Sequence, residues 1–478
     1  MGAAWYEPLP ASDRSFLVFE DQHTHMHLGG ITLFEPGPLG LPGGGVAIDR
    51  IREHIASRLH LRPRYRQRLA SVPIRNRPIW VDDPHFNLSY HVRHAAVPHP
   101  GDDVQLKQLC ARIVSQQLDR GKPLWEIWVI EGLGGGRFAM LVKTHHCMAD
   151  GISAFDLFTA LVSPTPDDSL DAPAPWTPRP APGPMRLLAD ELLRQAGTPF
   201  EIASALVNAL RDPARGRALV AENLRGLWST IQNGIRPPSP TPLNGPIGPH
   251  RRFDWLTLDL GEVKRVRQRL GGTVNDVVLA TVAGAVRTFL RRRGVPSDEI
   301  FFRAVVPVSV RSENERGVQN NRVSGWLTEL PVDEPDPLRR LERVKEVTTR
   351  LKTSKQALGP ELLGRAAEWA TPGVLTVGVR LTARLHPYNV IVTNVPGPPM
   401  PLYLLGARLL GGYPLVPLFE NQGIGIALFS YVGQLCWGFN ADWDLVPDLG
   451  RFVEAVRESF GELTAAADAD PIPAAVGG

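Results

Sequence analysis

Apolar and polar positions along this chain alternate between two periods. Runs of β-branched and aromatic residues closed off by proline or glycine predict strands at 25–34, 90–97, 125–131 and 137–144. Between them, 47–59 and 104–118 read as helices; in the second, Leu106, Cys110, Ile113 and Val114 fall at the spacing of one helical face. The same pattern returns later, with strands at 252–260, 301–310, 326–331, 389–393, 423–432 and 434–442, and helices at 261–270, 277–290, 337–353 and 359–369. Pro307 lacks the N–H a ladder needs, so 301–310 is expected to be an edge or terminated strand. Residues 80–84, WVDDP, read as a turn, and the glycine run at 132–136 as a hairpin loop. That glycine run is not a dinucleotide fingerprint, since the last glycine of the pattern would fall on Arg137.

Two interruptions divide the chain. Residues 163–184, SPTPDDSLDAPAPWTPRPAPGP, hold too many prolines for a helix or sheet interior. Residues 185–235 then recover helical spacing, at Met185, Leu188 and Leu192 and again at Phe200, Ala203, Leu206 and Leu210, before a second proline-rich stretch at 237–242. The expected organisation is an N-terminal α/β subdomain over 1–163, linkers and connecting helices over 164–249, a C-terminal α/β subdomain over 250–463, and a flexible tail over 464–478, rich in Ala, Asp and Pro. A length of 478 residues suits two cores better than one.

Composition narrows the partners. The net charge of +3, from 52 basic and 49 acidic residues, is too balanced for a nucleic-acid binder. Local basic clusters stand out at Arg62, Arg64, Arg66 and Arg68, at Arg75 and Arg77, and at Arg291, Arg292 and Arg293. They read either as solvated faces or as sites for an anionic ligand or lipid headgroups. Cys110, Cys147 and Cys436 are scattered and odd in number, which fits a reducing cytoplasm and no disulfide framework. The opening MGAAWYEPLP is not patterned as a secretory leader, and no apolar run of about 18 residues predicts a spanning helix.

The chemistry gathers where the 137–144 strand stops being apolar, at His145-His146-Cys147-Met148-Ala149-Asp150-Gly151, with a helix predicted to start at Ile152. Polar groups at the end of a buried strand are where α/β proteins place ligands. Asp150 and Ser153 have helix-capping side chains, which accounts for Asp150 but not for the histidine pair. A general base held by a nearby carboxylate is one reading. A metal site using His145, His146, Cys147 and Asp150 is a second, though no HExxH or CxxC accompanies it, and buried, satisfied histidines are a third. With no G-x-S-x-G and no P-loop, and with Cys147 best read as a core filler, a protein nucleophile is hard to support. A base acting directly on a substrate hydroxyl is what remains.

HHCMADG matches the HHxxxDG signature of acyltransferases with the chloramphenicol-acetyltransferase-like fold, a superfamily that includes peptide-synthetase condensation domains. Three more segments resemble one branch of it, the bacterial wax ester synthase/diacylglycerol acyltransferase family: Leu118-Asp119-Arg120-Gly121-Lys122-Pro123-Leu124-Trp125, Thr273-Val274-Asn275-Asp276 and Asn394-Val395-Pro396-Gly397. The resemblance implies an α/β fold of two chloramphenicol-acetyltransferase-like, condensation-domain-like subdomains, with mixed sheets flanked by helices and a tunnel at their interface. It makes His146 the general base and His145 its structural neighbour, with Asp150 orienting the turn, Gly151 letting the helix start close to the strand, and Arg311 the partner of Asp150. Pro123, Leu124, Trp125, Asn275, Asp276, Asn394, Pro396 and Gly397 become candidates for lining the substrate site. Each has a plainer reading, as core packing for Pro123-Leu124-Trp125, as caps of the 277–290 helix for Asn275 and Asp276, and as a tight loop for Asn394 to Gly397.

The implied reaction is acyl transfer from acyl-CoA to diacylglycerol or a long-chain alcohol in a ternary complex, with no metal, no cofactor beyond acyl-CoA as co-substrate, and an oxyanion stabiliser besides the base. The implied location is cytoplasmic, peripheral to the inner face of the plasma membrane or to lipid droplets, through the 185–235 helices or the arginines between Arg62 and Arg77. The alternatives are another superfamily acyltransferase, of condensation or short-acyl type, and a non-catalytic lipid-binding relative.

Overall fold

The computed structural model describes residues 5–74, 76–148, 156–193, 237–309, 323–353 and 387–469. One six-stranded sheet runs β12-β13-β2-β7-β6-β5, from β2 (His27–Phe34), β5 (Val92–Ala96), β6 (Trp125–Glu131), β7 (Phe138–His145), β12 (Tyr403–Leu404) and β13 (Ala407–Leu415). The other runs β10-β9-β11-β14-β15-β8, from β8 (Arg251–Asp259), β9 (Phe302–Ser309), β10 (Val323–Leu330), β11 (Val390–Val395), β14 (Ile424–Tyr431) and β15 (Gln434–Asp442). A small sheet, β1-β4-β3, is built from β1 (Glu7–Pro8), β3 (Gln67–Val72) and β4 (Arg77–Asp82). Both large sheets are mixed: β5 pairs in parallel with β6, and β11 in parallel with β9 and β14, while the other pairings are antiparallel.

Helices α1 (Ala11–Phe19), α2 (Ile48–Arg58), α3 (Leu88–His91), α4 (Asp103–Val114) and α5 (Asp156–Leu161) belong to the first half of the chain. In the second half, the helix Val274–Arg292 is buried along most of its length between its sheet and the helices Pro337–Thr353 and Leu449–Ala469. Its start is a capping box: the Thr273 side chain accepts from the Asp276 N–H, and the Asp276 carboxylate accepts from the Thr273 N–H. Asn275 and Asp276 therefore sit inside the first turn, and Thr273 is the cap.

An apolar cluster joins the two sheets. Ile31 and Leu141 of the first meet Phe253, Trp255 and Cys436 of the second, with Tyr413 of β13 stacked on Trp255 at 4.9 Å. Each such buried side chain contributes roughly 1.5–3 kcal/mol. Residues 250–463, expected to form one subdomain, thus lend β12 and β13 to the other sheet. Neither strand is foreseen in the sequence, because Gly411, Gly412 and Pro414 dilute the β signal. Contact with β15 is close enough that a Cβ on Gly438 would lie 1.9 Å from the Pro414 carbonyl oxygen.

Other expectations need correcting. Trp80, Val81 and Asp82 end strand β4 rather than forming a turn, with Trp80 and Val81 in apolar clusters and Asp82 accepting from Gln67 and Arg179. β9 is not an edge, since it lies between β10 and β11; Pro307 is tolerated beyond Val305, the last β9 residue paired with β11. The helix Leu449–Ala469 runs past the point where a flexible tail was expected, because Leu463 and Ala467 are fully buried. Of the helices expected over 185–235, the described part is 184–193, and 359–369 lies outside the described residues.

Several arginines of the basic clusters are engaged by other side chains of the protein. Arg64 pairs with Glu7 at 2.6 Å, Arg77 with Glu191 at 3.1 Å, Arg292 with Glu458 at 2.8 Å, and Arg293 with Asp448. Arg66 is buried over the Trp176 ring at 5.0 Å.

Candidate active site

Strand β7 is buried at all eight positions, held between β2 and β6, so its last residue enters the turn from a fixed point. Lys143, two residues earlier, is buried; its ammonium donates to the carbonyls of Ile113 at 3.2 Å and Gln116 at 2.9 Å, at the end of α4, where a cation suits the helix C-terminus. Burial lowers the Lys143 pKa, with Glu126, 3.4 Å away, pulling the other way.

His145 and His146 are pinned by their backbones to opposite neighbours. The His145 N–H donates to Leu124 O at 2.9 Å and the His146 N–H to Met26 O at 2.8 Å. A short 3₁₀ turn, His146–Met148, follows, and the Cys147 N–H donates to His145 Nδ1 at 3.1 Å. Nδ1 of His145 is thereby an acceptor, so the ring proton belongs on Nε2, which lies 3.4 Å from Glu20 Oε1. His145 is fully buried, its Nδ1 hydrogen-bonded and its Nε2 facing the Glu20 carboxylate.

Glu20, just past the end of α1, is a site residue that motif reading missed. Its side chain is 4% exposed and its other oxygen accepts from Arg120 at 2.8 and 2.6 Å. Arg120 also donates to Leu17 O at 3.1 Å, closing the end of α1. Burial pushes the Glu20 pKa up, but His145 and Arg120 more than offset it and the carboxyl ends below its usual value. His27 Nε2 lies 3.9 Å from the same carboxylate and accepts from the Leu118 N–H at 3.4 Å. The one sequence signal was Arg120, inside the segment quoted for Pro123-Leu124-Trp125; nothing local marks Glu20.

His146 is different. Its ring stacks on Phe16 of α1 at 3.6 Å and 15°, and Nδ1 has no hydrogen-bond partner among the described residues. The residue keeps some exposed surface, but the protein around the imidazole lowers its pKa to about 4, first by burial and then through His145, against its own backbone. It is therefore neutral at pH 7 with a free ring nitrogen.

The other candidates separate by role. Leu124 and Trp125 are core: Leu124 is fully buried beside Cys147, and the Trp125 indole stacks on His91 at 4.6 Å and donates to Tyr65 O at 2.8 Å. With buried Pro123 they form the platform under the histidine turn. Asp276 accepts from Thr348 Oγ1 at 2.8 Å besides its capping bonds, which ties two helices of the second half together. Asn394 is on β11 opposite Leu428, Pro396 is exposed, and Gly397 packs so tightly that a Cβ would stand 2.2 Å from Ser430 O. Asp150, Gly151 and Arg311 lie outside the described residues. Cys147 is buried with its thiol pKa pushed up by burial, as a filler should be. No group of three or more His, Cys, Asp or Glu suited to a metal occurs among the described residues.

The turn lies beside the contact between halves: Phe19 meets Phe419 edge-on at 5.5 Å, and Arg251 donates to His23 O. Two mixed-sheet halves with a histidine pair ending a central strand define the chloramphenicol-acetyltransferase-like class. A starter condensation domain of rhizomide synthetase has this fold, with a TM-score of 0.58 at 12% identity, covering 98% of this chain and 96% of that one. Within the class, the chain belongs to the wax ester synthase/diacylglycerol acyltransferase family: the family model of the catalytic domain matches residues 9–278 and that of the C-terminal domain residues 319–464. Two probable diacylglycerol O-acyltransferases of Mycobacterium tuberculosis are each 34% identical to it over 463 residues, one match spanning 96% of both chains and the other 95% of this chain and 97% of the relative. The wax ester synthase/diacylglycerol acyltransferase of Marinobacter aquaeolei superposes with a TM-score of 0.69 at 26% identity, over 96% of this chain and 100% of that one.

Proposed function

We propose that this protein transfers the acyl group of acyl-CoA to the hydroxyl of diacylglycerol or a long-chain alcohol, with His146 as general base. The observation that supports this assignment most is the contrast within the pair: His145 is fully buried, with Nδ1 accepting from the Cys147 N–H and Nε2 3.4 Å from the Glu20 carboxylate, while His146 is neutral, partly exposed, and its Nδ1 has neither a hydrogen-bond partner nor a carboxylate beside it among the described residues. In the reaction His146 takes the alcohol proton, the oxygen attacks the thioester carbonyl, the C–S bond breaks, and the imidazolium returns the proton to the leaving thiolate. Base catalysis of this kind is worth about 10²–10⁴-fold, and orientation of both substrates supplies much of the rest. Ester formation from palmitoyl-CoA with hexadecanol or with a diacylglycerol tests the proposal. No ester from either acceptor would sink it.

Among the described residues no single helix is long and apolar enough to cross a membrane. We infer peripheral contact with a lipid surface at the corner where the β3–β4 hairpin meets helix 184–193. Ile74 at the hairpin tip is 84% exposed, and Met185, Leu192 and Leu193 are 79, 62 and 73% exposed, while Leu187 is buried against Val72, Ile79 and Val81. Asp substituted for Ile74 and Leu193 together should reduce sedimentation with phospholipid vesicles; unchanged sedimentation would refute this surface.

A further inference from the structure

A cavity of about 930 Å³ lies between the two halves, with α4 on one wall and β8, Trp443 and the start of the helix Leu449–Ala469 on the other. Its size and its place at an interface between halves suit a ligand site. Among the described residues its wall carries Lys107, Arg112, Arg251 and Arg252 against one carboxylate, Asp254. Lys107 takes Asp254 at 2.5 Å and Arg251 takes Asp442 at 3.6 Å. Arg112 and Arg252 have no ion-pair partner among the described residues. Arg112 is exposed, and Arg252 lies over the Trp443 ring at 3.7 Å and donates to the Trp443 carbonyl at 3.1 Å. Trp443 itself is 46% exposed, unusual for so large an apolar side chain in a cavity wall.

Two guanidiniums without a carboxylate partner among the described residues, in one wall with an exposed indole, match a ligand that is both polyanionic and aromatic. Hydrogen bonds also link the cavity wall to the segments that carry the histidines. Gln116, in its wall, accepts through its carbonyl from Lys143 on β7, two residues before His145, and Arg251 donates to His23 O, close before His25 and His27. We infer that this cavity seats the nucleotide end of acyl-CoA, with Arg112 and Arg252 on its phosphates and Trp443 against the adenine. This rests on the acyl-CoA reading above; it adds where the non-reacting end of that substrate is held.

The test compares two donors bearing the same acyl chain, acyl-CoA and the acyl thioester of N-acetylcysteamine, which keeps the reacting bond and lacks the nucleotide. In Arg112→Glu and Arg252→Glu the ratio of kcat/KM for acyl-CoA to that for the short thioester should fall about tenfold per reversal. Adenosine 3′,5′-bisphosphate should compete with acyl-CoA in the parent protein and compete less in each variant. A ratio unchanged in variants whose thermal melts match the parent overturns the inference. Should a variant fail to fold, absence of competition by the bisphosphate in the parent overturns it instead. Ester formation with an unchanged ratio removes the nucleotide seat alone, whereas no ester from acyl-CoA in the parent removes the acyltransferase reading as well.

Discussion

Glu20 Oε1 and His145 Nε2 lie 3.4 Å apart, at 4% and 0% side-chain exposure, and the pair fixes the histidine that precedes the proposed base. A buried carboxylate keeps its charge only when partners compensate it, and here Arg120 and His145 do so from two sides. Glu20 is therefore a positioning residue: it acts on His146 through the orientation of His145.

Replacing Glu20 with Ala leaves His145 and His27 facing an uncompensated gap and frees half-exposed Arg120. The expected cost is about 2 kcal/mol, below the range for wholly buried pairs because Arg120 reaches solvent. Urea denaturation measures it, and a midpoint equal to the parent's would show that the pair does not hold this corner. Because the folded-state pKa of Glu20 is lowered, its contribution is full above the ordinary carboxylate pKa and is lost as pH falls below it.

The two histidines should fail differently. His146→Ala is expected to lower kcat by about 10²–10⁴-fold with little change in thermal midpoint, since this residue is partly exposed and Nδ1 is unpaired. His145→Ala leaves a fully buried cavity and strands the Cys147 N–H and Glu20, so its thermal midpoint should drop along with activity. Equal melting losses in the two variants would remove the distinction between base and neighbour.

Acid should reach the base late. With its pKa lowered to about 4, His146 stays neutral as pH falls from 7, and the acidic limb of kcat/KM should be centred near 4 rather than near 6.5. The sign for stability follows from the same shift. The unfolded chain takes up a proton near 6.5 and the folded protein only near 4, so stability is complete above about 6.5 and declines as pH falls toward 4. His25, lowered to about 4, and His27, held well below its ordinary value by burial, add to that slope. A limb near 6.5 in protein still folded by circular dichroism would contradict the burial of the ring.

The crossing of β13 between sheets makes Gly438 a sensitive position. Gly438→Ala would place its Cβ 1.9 Å from Pro414 O, a backbone atom that cannot swing aside, and should cost about 1–3 kcal/mol. Gly433, at a turn with open space around it, is the control for adding a Cβ without a clash, although its φ of 76° disfavours Ala on its own account. A denaturation midpoint for Gly438→Ala no lower than that of Gly433→Ala would mean that β13 and β15 separate easily.

The local parts of this protein were written in its residue pattern. Strand β7 is a run of apolar residues that ends on two histidines, and the helix Pro337–Thr353 keeps its period throughout, because each depends on neighbours a few positions away. HHCMADG likewise declared the turn and the class of acyltransferase. Tertiary structure alone decided the rest. β13 joins the first sheet across nearly four hundred residues of sequence, and no local period encodes a partner so distant. Pro307 sits in an interior strand because pairing with β11 stops short of it. Which histidine is free and which is held depends on Glu20, Arg120 and Phe16, residues that lie far from the turn in the chain and meet it only because α1 folds over the end of β7.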